Sequence, residues 1–249
     1  MIKIGIVGSG NVAHHLIQVF QKAEGMDLVQ VVARNPNALE GVIDASKIIN
    51  SPSDLLPLDL CIIAVSDNAI NTVSQEIKII NCVVAHTSGS MPLDVLSQNQ
   101  RGVFYPLQTF SKNKAVDFKN IPIAIEALNS DDQKLLETVA KSISEHVYNI
   151  NSEQRKALHV AAVFACNFVN HMYSLGEEIC REHQMSFDLL RPLIAETASK
   201  IEVLLPKDAQ TGPAIRHDQK TIETHLAMLS DENQKNIYAL LTQSIQNHE

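Results

Sequence analysis

Residues 5 to 16 read GIVGSGNVAHHL, an apolar run that passes through two glycines into a stretch of helical spacing. Within it, Gly8-Ser9-Gly10-Asn11-Val12-Ala13 has the G-x-G-x-x-A pattern of a dinucleotide fingerprint, set where that pattern has meaning, between a first strand and a first helix. Each small residue has a separate task. Gly8 permits the tight turn, Gly10 removes the side chain that would block a pyrophosphate, and Ala13 lets the helix approach the sheet. The backbone N–H groups around Ser9, Asn11 and Val12 then face the anion, with the helix dipole behind them. The competing interpretation is a tight turn that holds no ligand.

The end of the second strand separates the two nicotinamide coenzymes, because NAD sites usually present Asp or Glu to the ribose hydroxyls there. Ala33-Arg34-Asn35 stands in that place. An acid would repel a ribose 2′-phosphate, whereas Arg34 can pair with it by charge-assisted hydrogen bonds and Asn35 can add a donor. NADP is therefore expected in preference to NAD. A third marker is DLCIIAVSDNAI, residues 59 to 70, a strand that ends in small and polar residues. Ligands of open α/β sheets sit beyond the carboxyl ends of the strands, which puts Val65 and Ser66 beside the cofactor. Asp67 reads as a helix N-cap.

The first 150 residues keep the alternation of short apolar runs and amphipathic segments that a helix-covered parallel sheet requires. Strands are expected over 2–7, 28–33, 60–65, 83–85, 121–127 and 146–150, with a helix over 131–144. In the first helix Ala13, Leu16, Ile17 and Phe20 form the buried stripe, while His14, His15 and Gln18 face solvent. After Asn151 the strand-like runs disappear. A long helix is expected from Ser152 to about His183, and its stretch from Ala161 to Cys166 is apolar nearly all round, the mark of a helix buried in a bundle or a subunit interface. Further helices are expected over 186–205, over 215–229 and from 231 onward. The fold class is thus α/β: an N-terminal Rossmann-type parallel-sheet domain over 1–150, followed by an all-α C-terminal domain over 151–249.

Composition narrows the function. A formal charge of −8, a pI near 5.7 and the lack of any dense Lys/Arg block argue against nucleic acid as a partner. The four cysteines form no C-x-x-C pair and read as reduced, mostly buried thiols, and no H-E-x-x-H or similar cluster asks for a metal. The longest apolar run, Ala157 to Cys166, is too short to span a bilayer, and the first residues lack the pattern of a signal peptide. A cytoplasmic protein without membrane attachment is the expectation.

GIVGSGNVAHHL, DLCIIAVSDNAI, VVAHTSGSMPLDVL, GVFYPLQTF and TGPAIRHD together resemble a Rossmann-like family of provisional NADP oxidoreductases with a helical C-terminal domain of unknown function. The likeness spans essentially the whole chain. The N-terminal part also resembles pyrroline-5-carboxylate reductase, ketopantoate reductase and the deazaflavin-dependent NADP reductases. The resemblance implies a nucleotide domain followed by a helical domain that dimerises, with a small-molecule substrate bound between the two. The β-hydroxyacid dehydrogenase branch of such proteins would place an Asn four residues after a catalytic Lys, but here Lys156 is followed at that spacing by Val160.

His86 and Ser88 directly follow a strand and are the first candidates for chemistry. His86 can serve as acid, base or substrate ligand, or the cluster can be a capping turn. Gln108 follows in a loop where it can orient a polar substrate, unless Phe104, Tyr105 and Phe110 only pack a seam. On the long helix His159 and Asn170 fall within about 20° of one face at 100° per residue, with Asn167 beside them. Those side chains need partners from substrate, a dimer mate or neighbouring helices. Arg216 can clamp a carboxylate or phosphate. The expected protein is a dimeric NADP-dependent oxidoreductase acting on an oxo acid, ketone or imine, with His86, Ser88 and His159 catalytic and Gln108, Asn167, Asn170 and Arg216 holding substrate. The alternative is a sensor that binds NADP(H) without turnover.

Overall fold

The computed structural model describes residues 1–247. They divide into two compact units, one ending at Val163 and one beginning at Phe164. The first contains strands β1 (Ile2–Val7), β2 (Met26–Val32), β3 (Ile48–Ile49), β4 (Leu60–Ile63), β5 (Val83–His86), β6 (Arg101–Pro106), β7 (Ile123–Ala127) and β8 (Val147–Asn149), and helices α1 (Asn11–Phe20), α2 (Ile70–Glu76), α3 (Ser130–Lys141) and α4 (Ser152–Ala162). The strands form one sheet of order β3-β2-β1-β4-β5-β6-β7-β8. Strand order reverses between β1 and β4, the switch point where a doubly wound sheet opens a crevice at its carboxyl edge.

β1 to β6 pair in parallel, as expected of apolar runs buried on both faces. β7 runs antiparallel to β6, and β8 is parallel to β7. The sheet is therefore mostly, not wholly, parallel. A parallel return needs a crossover of a dozen or more residues, usually helical, and the connection from Pro106 to Ile123 carries only the 3-10 turn Phe118–Asn120. β6 itself went unread, because Tyr105-Pro106 looks like loop chemistry. Pro106 sits at the strand's last position, where the missing N–H is tolerated.

The apolar stripe of α1 packs with Leu136, Val139 and Ala140 of α3 on one sheet face, together with Ile4, Ile6, Ile62, Ala85 and Phe104. The other face gathers Val7, Cys61, Ile63 and Val84 under Ile70 of α2. One residue of α1 departs from expectation: His15 is 3% exposed, not solvent-facing. Its Nε2 lies 3.0 Å from the Ser111 carbonyl and its ring packs on Phe110, so the segment after β6 covers this part of the helix.

The second unit is helical. A π-helical segment, Val163–Phe168, continues from α4 and leads into α5 (Val169–Glu182), followed by α6 (Arg191–Lys200), α7 (Pro206–Ala209), α8 (Gln219–Met228) and α9 (Glu232–Gln246). Side chains fix the helix starts. Asn151 and Gln154 form a capping box on α4, and Asp218 and Asp231 cap α8 and α9. The apolar stretch expected to be buried is not buried by its own chain: Phe164 is 65% exposed, and Ala165, Cys166 and Phe168 are exposed beside it. Cys166 thus departs from the other three thiols, which are buried. No described helix is long and apolar enough to cross a membrane.

Candidate functional site

A cavity of about 940 Å³ lies along the carboxyl edge of the sheet. Its middle is the glycine turn, Gly8, Ser9, Gly10, Asn11 and Val12. One end is built from Arg34 and Asn35 after β2 and from Asn50 and Ser51 after β3. The other end is built from Val65 and Ser66 after β4 and from Thr87 after β5. All nine residues that the sequence suggested for the cofactor border this one space.

The two glycines answer to different constraints. Gly8 has φ +135°, and a Cβ there would fall on the backbone carbonyl of Ala64, so the turn needs it for its own geometry. Gly10 has an ordinary φ of −76°, and nothing lies within 4 Å of where its Cβ would stand. No neighbour in the chain requires a glycine at that position, and Gly10 borders the cavity. The start of α1 carries no side-chain cap and no acidic residue in its first turn, so its first N–H groups have no side-chain partner. Asn11 spends its side chain elsewhere, donating from Nδ2 to the Phe110 carbonyl at 2.9 Å. Arg34 is exposed at the rim, and among the described residues no carboxylate is bonded to it. Asp67 is not a cap: Ser66 holds the N-cap position of a 3-10 turn, Asp67–Ala69, without a side-chain bond.

At the end of β5, His86 is fully buried. Its Nδ1 accepts the Ser88 N–H at 3.1 Å, which places the ring proton on Nε2, 3.3 Å from the Pro92 carbonyl. Burial, then the Arg155 guanidinium, lowers its pKa to about 4. A neutral ring with both nitrogens occupied holds the turn that follows the strand. At neutral pH its one ring proton, on Nε2, is directed at the Pro92 carbonyl. Ser88 has the same task, its Oγ accepting the N–H groups of Ser90 and Met91 at 3.1 and 3.0 Å. The capping interpretation of this cluster is the one its hydrogen bonds support.

A residue that sequence reasoning passed over organises the segment. Arg155 of α4 is 0% exposed. Its Nε donates to the Ser88 carbonyl at 3.2 Å, Nη2 to the Met91 carbonyl at 2.5 Å, and Nη1 to Glu126 Oε2 on β7 at 2.5 Å. Glu126 also accepts the N–H and hydroxyl of Ser152 at 3.0 and 2.8 Å. One buried guanidinium thereby ties α4 to the loop after β5 and to β7. An Arg four positions before His159 on a helix gives no sequence sign of this, since most such residues face water.

One turn further along α4, His159 Nδ1 lies 3.0 Å from the Tyr105 hydroxyl at the end of β6. Both rings stand over Gly89, where any Cβ would strike His159 and Tyr105. His159 is thus placed at the sheet's carboxyl edge, with Tyr105 as its partner. Gln108 is exposed, its Oε1 accepting the Thr109 N–H at 2.8 Å. Asn167, Asn170 and Arg216 are exposed residues of the second unit. The count that aligned His159 with Asn170 assumed an uninterrupted α-helix, and the π segment Val163–Phe168 breaks that count.

The family model for a domain of unknown function, DUF2520, matches residues 121–245. A provisional NADP oxidoreductase from Bacteroides fragilis is 39% identical, covering 99% of this chain and 98% of that one, with a TM-score of 0.88. A Thermotoga maritima protein, 20% identical, is similar over 98% of this chain and 97% of its own with a TM-score of 0.76. Pyrroline carboxylate reductase from Plasmodium falciparum, with NADP bound, shares the fold at 13% identity and a TM-score of 0.62, covering 98% of each chain. Among curated proteins, none matches the chain.

Proposed function

The chain belongs to the DUF2520 family, and on that premise we propose that it is an NADP-dependent oxidoreductase acting on a small polar oxo acid, ketone or imine. The observation that carries this reading is the cavity at the strand-order switch, with an open glycine cradle at its centre and an uncommitted guanidinium at one end. Gly10 and the N–H groups opening α1 receive the pyrophosphate. Arg34 and Asn35 take the ribose 2′-phosphate, and Val65, Ser66 and Thr87 face the nicotinamide. The nicotinamide supplies hydride chemistry, and the protein supplies orientation. The Bacteroides fragilis and Plasmodium falciparum proteins, one described by NADP and one holding it, support the choice of coenzyme.

Arg34 is the test of that choice. A charge-assisted pair with the 2′-phosphate is worth about 1.5–3 kcal/mol, so Arg34→Asp should weaken NADPH roughly tenfold to hundredfold. NADH affinity should stay or improve. Isothermal titration of both coenzymes against both proteins reads this directly, and an unchanged NADPH to NADH ratio would remove Arg34 from the site.

The first unit then serves as the coenzyme domain, and the second as a dimerisation domain. What supports a homodimer is the apolar exposure of the second unit: Phe164 and Phe168 on the π segment, Leu193 on α6, and Val203, which is 83% exposed. Exposed apolar side chains of this number are what a subunit interface would cover. Sedimentation should give about twice the 27.5 kDa chain mass, and a monomer at micromolar concentration would end this part of the proposal.

A further inference from the structure

We propose that the Tyr105 hydroxyl is the general acid of this site, delivering a proton to a substrate carbonyl oxygen, with His159 as the positioning residue that returns the proton to it. The inference rests on the reading of the chain as an NADP-dependent reductase. His86 was the sequence's candidate for that proton, and its two nitrogens are engaged with Ser88 and Pro92. A donor must come from another group at the same edge.

Tyr105 is such a group. β5 and β6 are parallel neighbours, and the residue after β5, Thr87, walls the cavity. Tyr105 stands at the carboxyl end of β6, with its ring over Gly89, two residues past Thr87. It is 9% exposed, so its ring is held by packing and not by solvent. The bond to His159 at 3.0 Å fixes its hydroxyl end. With the ring proton on Nδ1, His159 donates to the phenol oxygen and leaves the phenolic hydrogen free to point at a ligand. The absence of a side chain at Gly89 is what lets the two rings meet.

The groups acting on the phenol are Arg155 from α4, Asp67 from the turn after β4, and His159, which is bonded to its hydroxyl. Burial raises the Tyr105 pKa, the Arg155 charge opposes this and Asp67 adds to it, so the phenol stays protonated at neutral pH. In the step itself a hydride, carrying two electrons, reaches the carbonyl carbon and the C=O π pair moves onto oxygen. That oxygen takes the proton of Tyr105 Oη, His159 Nδ1 returns one to Oη as Nε2 takes a proton from solvent, and exchange of the ring protons with solvent restores the Nδ1–H form before the next turnover. The sum is ketone plus NADPH plus a proton giving alcohol plus NADP⁺.

The chain has four tyrosines and no tryptophan, so tyrosinate absorbance can be titrated cleanly, and the difference between the wild type and Tyr105→Phe isolates Tyr105. Oxidised NADP⁺ carries a cationic ring and NADPH a neutral one. If the phenol faces that ring, NADP⁺ should lower the Tyr105 pKa by about one unit while NADPH does not. His159→Gln should shift it in the unliganded protein, which a mere packing role would not do. With 4-nitrobenzaldehyde, cyclohexanone and pyruvate as carbonyl probes, Tyr105→Phe should lower kcat about 100-fold or more, while removal of the exposed hydroxyl in Tyr148→Phe leaves it unchanged. Bound NADP⁺ without a pKa shift, no probe reduced by the wild type, or a Tyr105→Phe variant keeping over a tenth of kcat would each overturn the assignment. Failure of NADP⁺ and NADPH to bind at all would instead overturn the coenzyme reading on which it stands.

Discussion

Glu126→Ala is expected to lower the stability of the protein by about 3 kcal/mol, the lower end of what breaking a buried ion pair costs. The reason is the partner left behind. Arg155 is wholly buried, while Glu126 keeps 17% of its side-chain surface, so water can replace some of the lost carboxylate but cannot reach the guanidinium freely. Three neutral acceptors remain to Arg155, the Ser88 and Met91 carbonyls and the Ser152 hydroxyl, and none carries a charge. Because the pair is shielded, raising the salt should change the loss little. Glu126→Gln keeps an acceptor and should cost less. Replacing both partners together, as Glu126→Leu with Arg155→Met, should recover much of the loss, since apolar isosteres often equal a buried pair. Urea midpoints for the four proteins decide it. A Glu126→Ala loss below about 1 kcal/mol would place this pair among the weak, water-exposed bridges. The functional corollary is a looser turn at Gly89, because Arg155 holds the carbonyls on either side of it.

That network shows where sequence reading stopped. The glycine turn, the strands β1, β2, β4 and β5 and the segments that border the cavity were legible, because each depends on local chemistry: period, turn residues and a fixed offset from a strand. The nine coenzyme candidates lie on three such segments, and those segments border one cavity. The other half depends on pairs distant in sequence. Tyr105 meets His159 across 54 positions and Arg155 meets Glu126 across 29, and no spacing rule announces either. His86 misled for a related reason: a histidine after a strand looks available until its partners at Ser88 and Pro92 are seen. His15 misled because helical period says which face points at the sheet, not whether a later loop returns to cover the opposite side. In the second unit the apolar character around Phe164 was legible, while its exposure in a single chain was not.

Gly8→Ala and Gly10→Ala are the second pair of substitutions with large effects, and they should fail in opposite ways. At Gly8 an L side chain must take φ +135°, a conformation nearly closed to it, and its Cβ meets the Ala64 carbonyl. Neither side can yield easily. The Gly8 N–H is bonded to the Val32 carbonyl at 2.9 Å, and the Ala64 N–H to the Val7 carbonyl at 2.8 Å, so both segments are stitched into the sheet. Strain and collision together should cost about 3 kcal/mol or more, and coenzyme binding falls because the turn itself is displaced. Gly10→Ala has an allowed backbone and empty space around the new methyl group, so the melting temperature should stay within a degree or two of the wild type. Its methyl stands instead where the pyrophosphate would approach the N–H groups of α1, and NADPH affinity should fall at least about tenfold, near 1.4 kcal/mol. Thermal melts and NADPH titrations of the two variants separate a glycine kept for the fold from one kept for a ligand. If Gly10→Ala binds NADPH as tightly as the wild type, the open space at the head of α1 does not hold the pyrophosphate, and the cavity has lost its strongest claim to the coenzyme.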